Sequence, residues 1–308
     1  MSEISFTNAT SITGDDRSPV TVIGLGPMGQ ALAGAFLKNG HTTTLWNRSA
    51  GKADALISQG AFLANTVSEA VAASPVVIMC VLDYNAVKAI LEPVGDDLNG
   101  RTLVNLTSNS PDSAREMAAW AAKHGVDYLD GAIMTPTTTI GTPAAVVLYS
   151  GPESVYKYHQ PTLASLGGAS FLGADHGRAA AYDVGLLDLF WTSMAGYIHA
   201  LALANAENIT AKEFAAYAQG IVAIMPDIMM DLASFVDKRH YPGDESNIIS
   251  ASAGIEHIIH TAEQHGIDVS VLSAVMAVAK RAINEGYGND NFSRLTELLR
   301  KPSERSSL

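Results

Sequence analysis

Residues 20–36 read VTVIGLGPMGQALAGAF, and the architecture of the whole first half of the chain follows from that stretch. A short β-branched run ends at Gly24, and Gly26 and Gly29 follow at the spacing G-x-G-x-x-G. An apolar helical segment comes next, with Gly40 as its C-terminal stop. In a strand–turn–helix of this kind the first glycine makes the tight bend. The second lets the backbone approach a pyrophosphate, and the third lets the helix pack close to the sheet. The helix N-terminus then points unpaired N–H groups at the phosphates. Gly24, Leu25, Gly26, Pro27, Met28 and Gly29 are therefore candidate cofactor-binding residues.

Working outward, TTTLW (42–46), VVIMCV (76–81), TLVNL (102–106), DYLDGAI (127–133) and AAVVLYS (144–150) read as further strands, with helices between them. Thr66 with Glu69 predicts a capping box. Ser110 followed by Pro111 predicts an N-cap and a first-turn proline for a helix that Gly125 ends. Strands alternating with helices imply an α/β fold: a parallel, doubly wound sheet of the Rossmann kind. The texture changes near Gly173–Gly177, after which the pattern predicts helices over 177–206, 211–238, 245–265 and 270–286. RHYPGDESN (239–247) is a turn-rich connection. The expected organisation is a flexible N-terminal tail (1–18), a cofactor-binding Rossmann domain (19–176) and an all-α domain (177–308) that opens with a long interdomain helix over 177–206.

The end of the second strand discriminates between cofactors. An acid there would hold an adenosine ribose and repel a 2′-phosphate. This chain has Asn47, Arg48 and Ser49, with Lys52 a turn later. Arg48 offers a fork of donors to a phosphate, and Lys52 adds charge. The reading is NADPH over NADH. Leu82, Thr107 and Ser108 follow two further strands, where loops line the cofactor crevice. Thr107 and Ser108 read equally well as plain turn hydroxyls.

The totals narrow the class. A chain of 308 residues suggests two domains, and 47% apolar with 16% charged residues supports a sizeable core. A formal net charge of −12 disfavours nucleic acid and anionic membranes as partners. Cys80 is the single cysteine, so no intrachain disulfide forms; a buried, inert thiol in a reducing compartment is the expectation. The first residues lack the basic and apolar regions of a secretory signal, and no uninterrupted apolar run approaches a membrane span. A soluble, cytoplasmic protein with no membrane partner is expected.

Together VIGLGPMGQALA, LWNRS, NLTSNSP, YLDGAIMTPTTTIGTPAAVVLYSG and YPGDES resemble the NADPH-dependent imine reductases and reductive aminases, from about residue 19 to residue 302. The resemblance implies hydride transfer from NADPH to a C=N bond, in an imine or in a ketone combined with an amine. It also implies an interlocked homodimer, with each site between one Rossmann domain and the partner's helices. The related β-hydroxyacid dehydrogenases carry a catalytic lysine near the start of the long helix, in a pattern like GQAAK. Here Gly177-Arg178-Ala179-Ala180-Ala181 puts Ala181 in that place. The resemblance points instead to Asp183 as the catalytic residue. Where many members carry Tyr or Asp, this chain departs with Trp191.

Asp183 and Asp188 sit in an otherwise apolar helix. A carboxylate favours a protonated iminium where a lysine would oppose it. Two unit charges about 4 Å apart interact by about 4 kcal/mol at an effective dielectric near 20, part of which desolvation removes. Trp191, about 80° around the helix from Asp183, shares one side with it; Asp188, about 140° around, does not and reads as structural. Met134, Met225 and Met229 are further candidates for the substrate pocket, with Met230 beside them. His257 and His260 lack the HExxH spacing, and no metal is expected. Two alternatives remain open at this point: a β-hydroxyacid-type dehydrogenase with a relocated acid, and a non-catalytic NADPH-sensing protein.

Overall fold

The computed structural model describes residues 17–49 and 51–300. The expected N-terminal tail falls outside them except for its last two residues. The chain forms two compact units that divide inside one long helix, between Leu189 and Phe190.

The first unit is an eight-stranded sheet with helices. It opens with β1 (Val20–Ile23), α1 (Pro27–Lys38), β2 (Thr43–Trp46), α2 (Asp54–Ile57) and β3 (Phe62–Leu63). Next come α3 (Val67–Ala72), β4 (Val76–Met79), α4 (Tyr84–Leu91), β5 (Thr102–Asn105), α5 (Pro111–Lys123) and β6 (Asp127–Ile133). It closes with β7 (Thr142–Ser150), α6 (Glu153–Leu163), β8 (Gly167–Phe171) and the start of α7 (Arg178–Ala206). The strand order is β3-β2-β1-β4-β5-β6-β7-β8. The order reverses between β1 and β4, which pair in parallel with Ile23 opposite Met79. That reversal opens a crevice at the carboxyl ends of the strands.

The sheet alternates as a doubly covered sheet must. In β4, Val76 and Ile78 join one buried cluster with Leu32, Phe36 and Leu45. Val77 and Met79 join the other with Val87, Leu91 and Met117. Successive residues thus face opposite helical layers.

The fold is the expected α/β Rossmann arrangement followed by helices, with three differences of detail. β6 and β7 are antiparallel, because the short segment between them carries only a single 3-10 turn and no crossover helix. β3 and β8 have no β-branched run to announce them; β8 reads GGASF. The Thr66 box is half formed: Thr66 accepts from the Glu69 N–H, but the Glu69 carboxylate takes the Asn65 N–H instead of that of Thr66. Two other signals acted as read. Gly40, at φ 79°, closes α1 with the Gly40 and His41 N–H groups donating back to Leu37 and Phe36. Ser110 caps α5 at the Ser113 N–H, with Pro111 in its first turn.

The second unit holds the rest of α7, then α8 (Ala211–Lys238), α9 (Ile248–Gln264), α10 (Ser270–Asn284) and α11 (Leu295–Leu298). Ile248, Ala279, Ala282, Leu295 and Leu298 form its core. Asn247 and Ser250 make a complete capping box at α9. The YPGDES segment is anchored here by its tyrosine. Tyr241 donates to Glu297 (2.7 Å), and its ring and that of Tyr287 lie against the Arg294 guanidinium.

In their most apolar 18-residue windows α7 and α8 reach mean hydropathies of 1.3 and 1.4, enough by length and composition to cross a membrane. This corrects the expectation drawn from uninterrupted runs. Asp183 and Asp188 interrupt α7, and Asp227 and Asp231 interrupt α8, yet the averages stay high. Neither window holds a buried residue in the single chain.

Candidate active site

The crevice at the β1–β4 reversal has a volume of about 640 Å³ and is lined by Gly24, Gly26, Pro27, Met28 and Gly29 from the glycine turn. Each glycine meets the demand its position makes. Gly24 sits at φ 97°, and a Cβ there would strike the Cys80 carbonyl oxygen. A Cβ on Gly29 would strike the Gly24 carbonyl oxygen. Gly26 is different: it caps α1 in extended geometry, and a Cβ there would meet nothing within 4 Å. The middle glycine therefore faces open space at the mouth of a helix whose first turn carries no acid. That is the geometry a pyrophosphate requires.

Asn47, Arg48, Ser49 and Lys52 line the same crevice, together with Leu82. Two cations and no carboxylate are among its lining residues, against a chain total of −12. Asn47 turns inward: its Oδ1 accepts the Leu25 N–H (2.9 Å), and its Nδ2 donates to the Ser49 carbonyl (2.8 Å). It braces the glycine turn against the end of β2. Arg48 and Ser49 are exposed and free to meet a ligand. The side chain of Leu25 is fully buried in the core beneath the turn. The sequence reading missed the apolar wall formed by Val67, Val81, Ala86, Ile90 and Val94. Only the helical spacing of Ala86 and Ile90, one turn apart on α4, signalled it.

Thr107 and Ser108 do not line the crevice. Thr107 is buried, and its hydroxyl accepts the Val81 N–H (3.1 Å), tying the loop after β5 to the crevice wall. The Ser108 hydroxyl hydrogen-bonds Asp183.

Asp183 is 2% exposed although most of its neighbours on α7 are exposed. Its Oδ2 is buried with no hydrogen-bond partner. Burial raises the Asp183 carboxyl above the ordinary range, against the Ser108 hydrogen bond, which favours the charged form. A buried oxygen left unpartnered in this way is poised for a donor that none of the described residues supplies. Arg178 is exposed, and α7 is capped by other groups: Ser150 accepts the Ala179 N–H (3.0 Å), and Asp130 accepts that of Ala180.

Met134 packs in a small cluster with Ala132, Leu148 and Ala179, beside the first turn of α7. Trp191, Met225 and Met229 lie in the second unit. Trp191 is 65% exposed and meets Phe190 edge-on. Met225, Met229 and Met230 are exposed on α8. His257 and His260 are exposed on α9, where His260 pairs with Gln264. Among the described residues no three side chains are grouped to hold a metal.

A Rossmann domain with an open glycine cradle and two cations in its crevice, followed by a helical domain, defines a dinucleotide-dependent oxidoreductase fold. Comparison with known proteins narrows it. Residues 19–174 match the NAD-binding domain of 6-phosphogluconate dehydrogenase. Residues 175–301 match the C-terminal domain of the NADPH-dependent reductive aminase-like proteins. An NADPH-dependent reductive aminase of Aspergillus oryzae is 34% identical over 285 residues, covering 91% of this chain and 97% of that protein. An imine reductase structure from Bacillus cereus BAG3X2 is 40% identical with a TM-score of 0.84, over 92% of this chain and 99% of the other. A reductive aminase from Aspergillus terreus, in complex with NADPH4, cyclohexanone and allyl amine, is 37% identical with a TM-score of 0.88 over 92% of this chain and 100% of the other. The chain belongs to the imine reductase and reductive aminase family.

Proposed function

We propose that this protein reduces C=N bonds with NADPH, acting on small cyclic imines or on imines formed from a ketone and an amine. Asp183 is the residue in direct contact with the nitrogen. When bound, NADPH supplies the hydride. Gly26 and the N-terminus of α1 would hold its pyrophosphate, and Arg48 with Lys52 would hold the 2′-phosphate. The observation that carries the reading is the orphaned Asp183 Oδ2, in a chain with Ala181 where hydroxyacid dehydrogenases place lysine. A buried carboxylate without a cationic neighbour favours a substrate that is itself cationic. Because burial raises its pKa, Asp183 is also suited to giving a proton to nitrogen or taking one from an incoming amine.

The helical unit supplies the substrate and dimerisation surface, with the Rossmann unit supplying the cofactor site. A second copy of the chain covers the exposed apolar faces of α7 and α8, where Ile198, Ile221 and Ile224 stand open. Asp227 and Asp231 near mid-helix make a lipid environment for α8 costly. These features support a soluble homodimer, and the cytoplasm is the compartment we propose for it. In this reading Trp191, Met134, Met225 and Met229 shape the substrate pocket. Incubation with NADPH and a small cyclic imine, beside NADP⁺ and a 3-hydroxy acid, tests the proposal. Cofactor oxidation with the imine is expected; turnover of the hydroxy acid alone would refute it.

A further inference from the structure

We propose that Asp130, a residue outside the cofactor crevice, is a positioning residue that sets the location of Asp183; the inference rests on the role given to Asp183 above. Asp130 lies in β6 and is 2% exposed. Its Oδ1 accepts two hydroxyls, from Tyr84 on α4 (3.1 Å) and Tyr128 on β6 (3.0 Å). The carboxyl also accepts the backbone N–H of Ala180 in the first turn of α7. Asp183 follows one helical turn later. The carboxyl that fixes this turn therefore also fixes where the Asp183 side chain emerges.

The same cluster reaches the crevice through hydrogen bonds alone. Asn105 donates to the Tyr128 hydroxyl (3.3 Å) and accepts the Thr107 N–H (3.1 Å). Thr107 in turn holds Val81 in the crevice wall. A buried network this complete transmits small displacements instead of absorbing them.

A helix cap that served stability alone would be a well-stabilised anion. Asp130 is not: desolvation pushes its carboxyl up to about 7, against three hydrogen bonds that favour the charged form. Asp183 adds a like charge. The groups facing Asp130 are Tyr84 from α4, Tyr128 from its own strand, and the Ala180 N–H and Asp183 from α7. His176, ahead of α7, lies against the Tyr128 ring (5.7 Å between centroids), and burial lowers its pKa. Asp130 is therefore the second of the two carboxyls to ionise, and below about pH 7 it holds the first turn of α7 as a neutral, hydrogen-bonded group.

The test compares wild type, Asp130→Leu, Asp130→Asn and Tyr84→Phe in imine turnover and NADPH affinity, with the Asp183 carboxyl signal followed by ¹³C NMR. Asp130→Leu removes the acceptor for the Ala180 N–H; it should shift the Asp183 signal and lower kcat by about 10-fold or more, with the NADPH Kd within about twofold. Asp130→Asn keeps an oxygen acceptor of the same shape and should hold kcat within about threefold of wild type. Tyr84→Phe removes one of the two hydroxyls that fix Asp130; it should act as Asp130→Leu does by less, and it serves if that variant fails to fold. An Asp183 signal and kcat unchanged in the folded Asp130→Leu and Tyr84→Phe proteins overturn the inference. Because the carboxyl signal is read directly, a failed role for Asp183 in turnover shows separately, as full activity in Asp183→Asn.

Discussion

The crevice beside β1 is open and carries two cations, whereas the cluster around Asp130 and Asp183 is closed and acidic. Both are built on the same sheet, and their different environments suit different tasks. Phosphates are held by backbone N–H groups and by cations that remain in water, so the crevice needs little burial. Influence over a nitrogen's charge requires the opposite, a carboxyl taken out of water where its field is not screened. Family members that keep the first region and alter the second would keep the cofactor and change the chemistry.

The sharpest way to break this contrast is to close the cradle. Gly26→Val places a branched side chain where the structure has open space, at a backbone geometry any residue adopts. NADPH affinity should fall by about 100-fold or more, roughly 2.7 kcal/mol, with the thermal midpoint little changed; fluorescence titration and calorimetry report the two. Arg48→Ala should come next, weakening NADPH by roughly 10- to 100-fold while leaving NADH within about twofold. Equal losses for both cofactors would mean the 2′-phosphate is read elsewhere.

The acidic region predicts a stability effect instead. The folded chain binds the Asp130 proton more tightly than the unfolded chain, with a pKa near 7 against 3.8. Its contribution is therefore complete below about pH 4 and is lost as pH rises towards 7, at up to about 1.4 kcal/mol per pH unit. Asp130→Asn should flatten the stability curve of the wild type over that window, as urea unfolding at several pH values would show. The smallest expected effect is at Cys80, whose thiol burial pushes up to about 11. Alkylation of the native protein at pH 8 should be slow, and a fast reaction would show that the crevice floor opens.

Legibility divides along the same line. The cradle was readable because its demands are local: a positive φ at Gly24, close approach at Gly29 and a helix starting at Pro27 leave marks in adjacent residues. That Asn47, Arg48, Ser49 and Lys52 would line the crevice was readable for the same reason, although the inward turn of Asn47 was not. Asp183 stood out as an acid in an apolar helix. Asp130 did not, because an acid within DYLDGAI gives no sign that tyrosines on β6 and α4 will close over it. The partners of Asp183 and Asp130 come from chain segments tens of residues apart, and only the sheet order brings them together. β8 escaped notice because Phe171 is the one residue of its GGASF with strand preference, and the strand gains its place by pairing with β7.

The central claim is that one buried carboxyl, in a place kept clear of lysine, handles the nitrogen of the substrate. Asp183→Asn tests it most directly, with turnover of a small cyclic imine and NADPH affinity measured on the same preparation. The account predicts a fall in kcat of about 100-fold or more with the NADPH Kd within about twofold. Undiminished turnover by a correctly folded Asp183→Asn protein would contradict it.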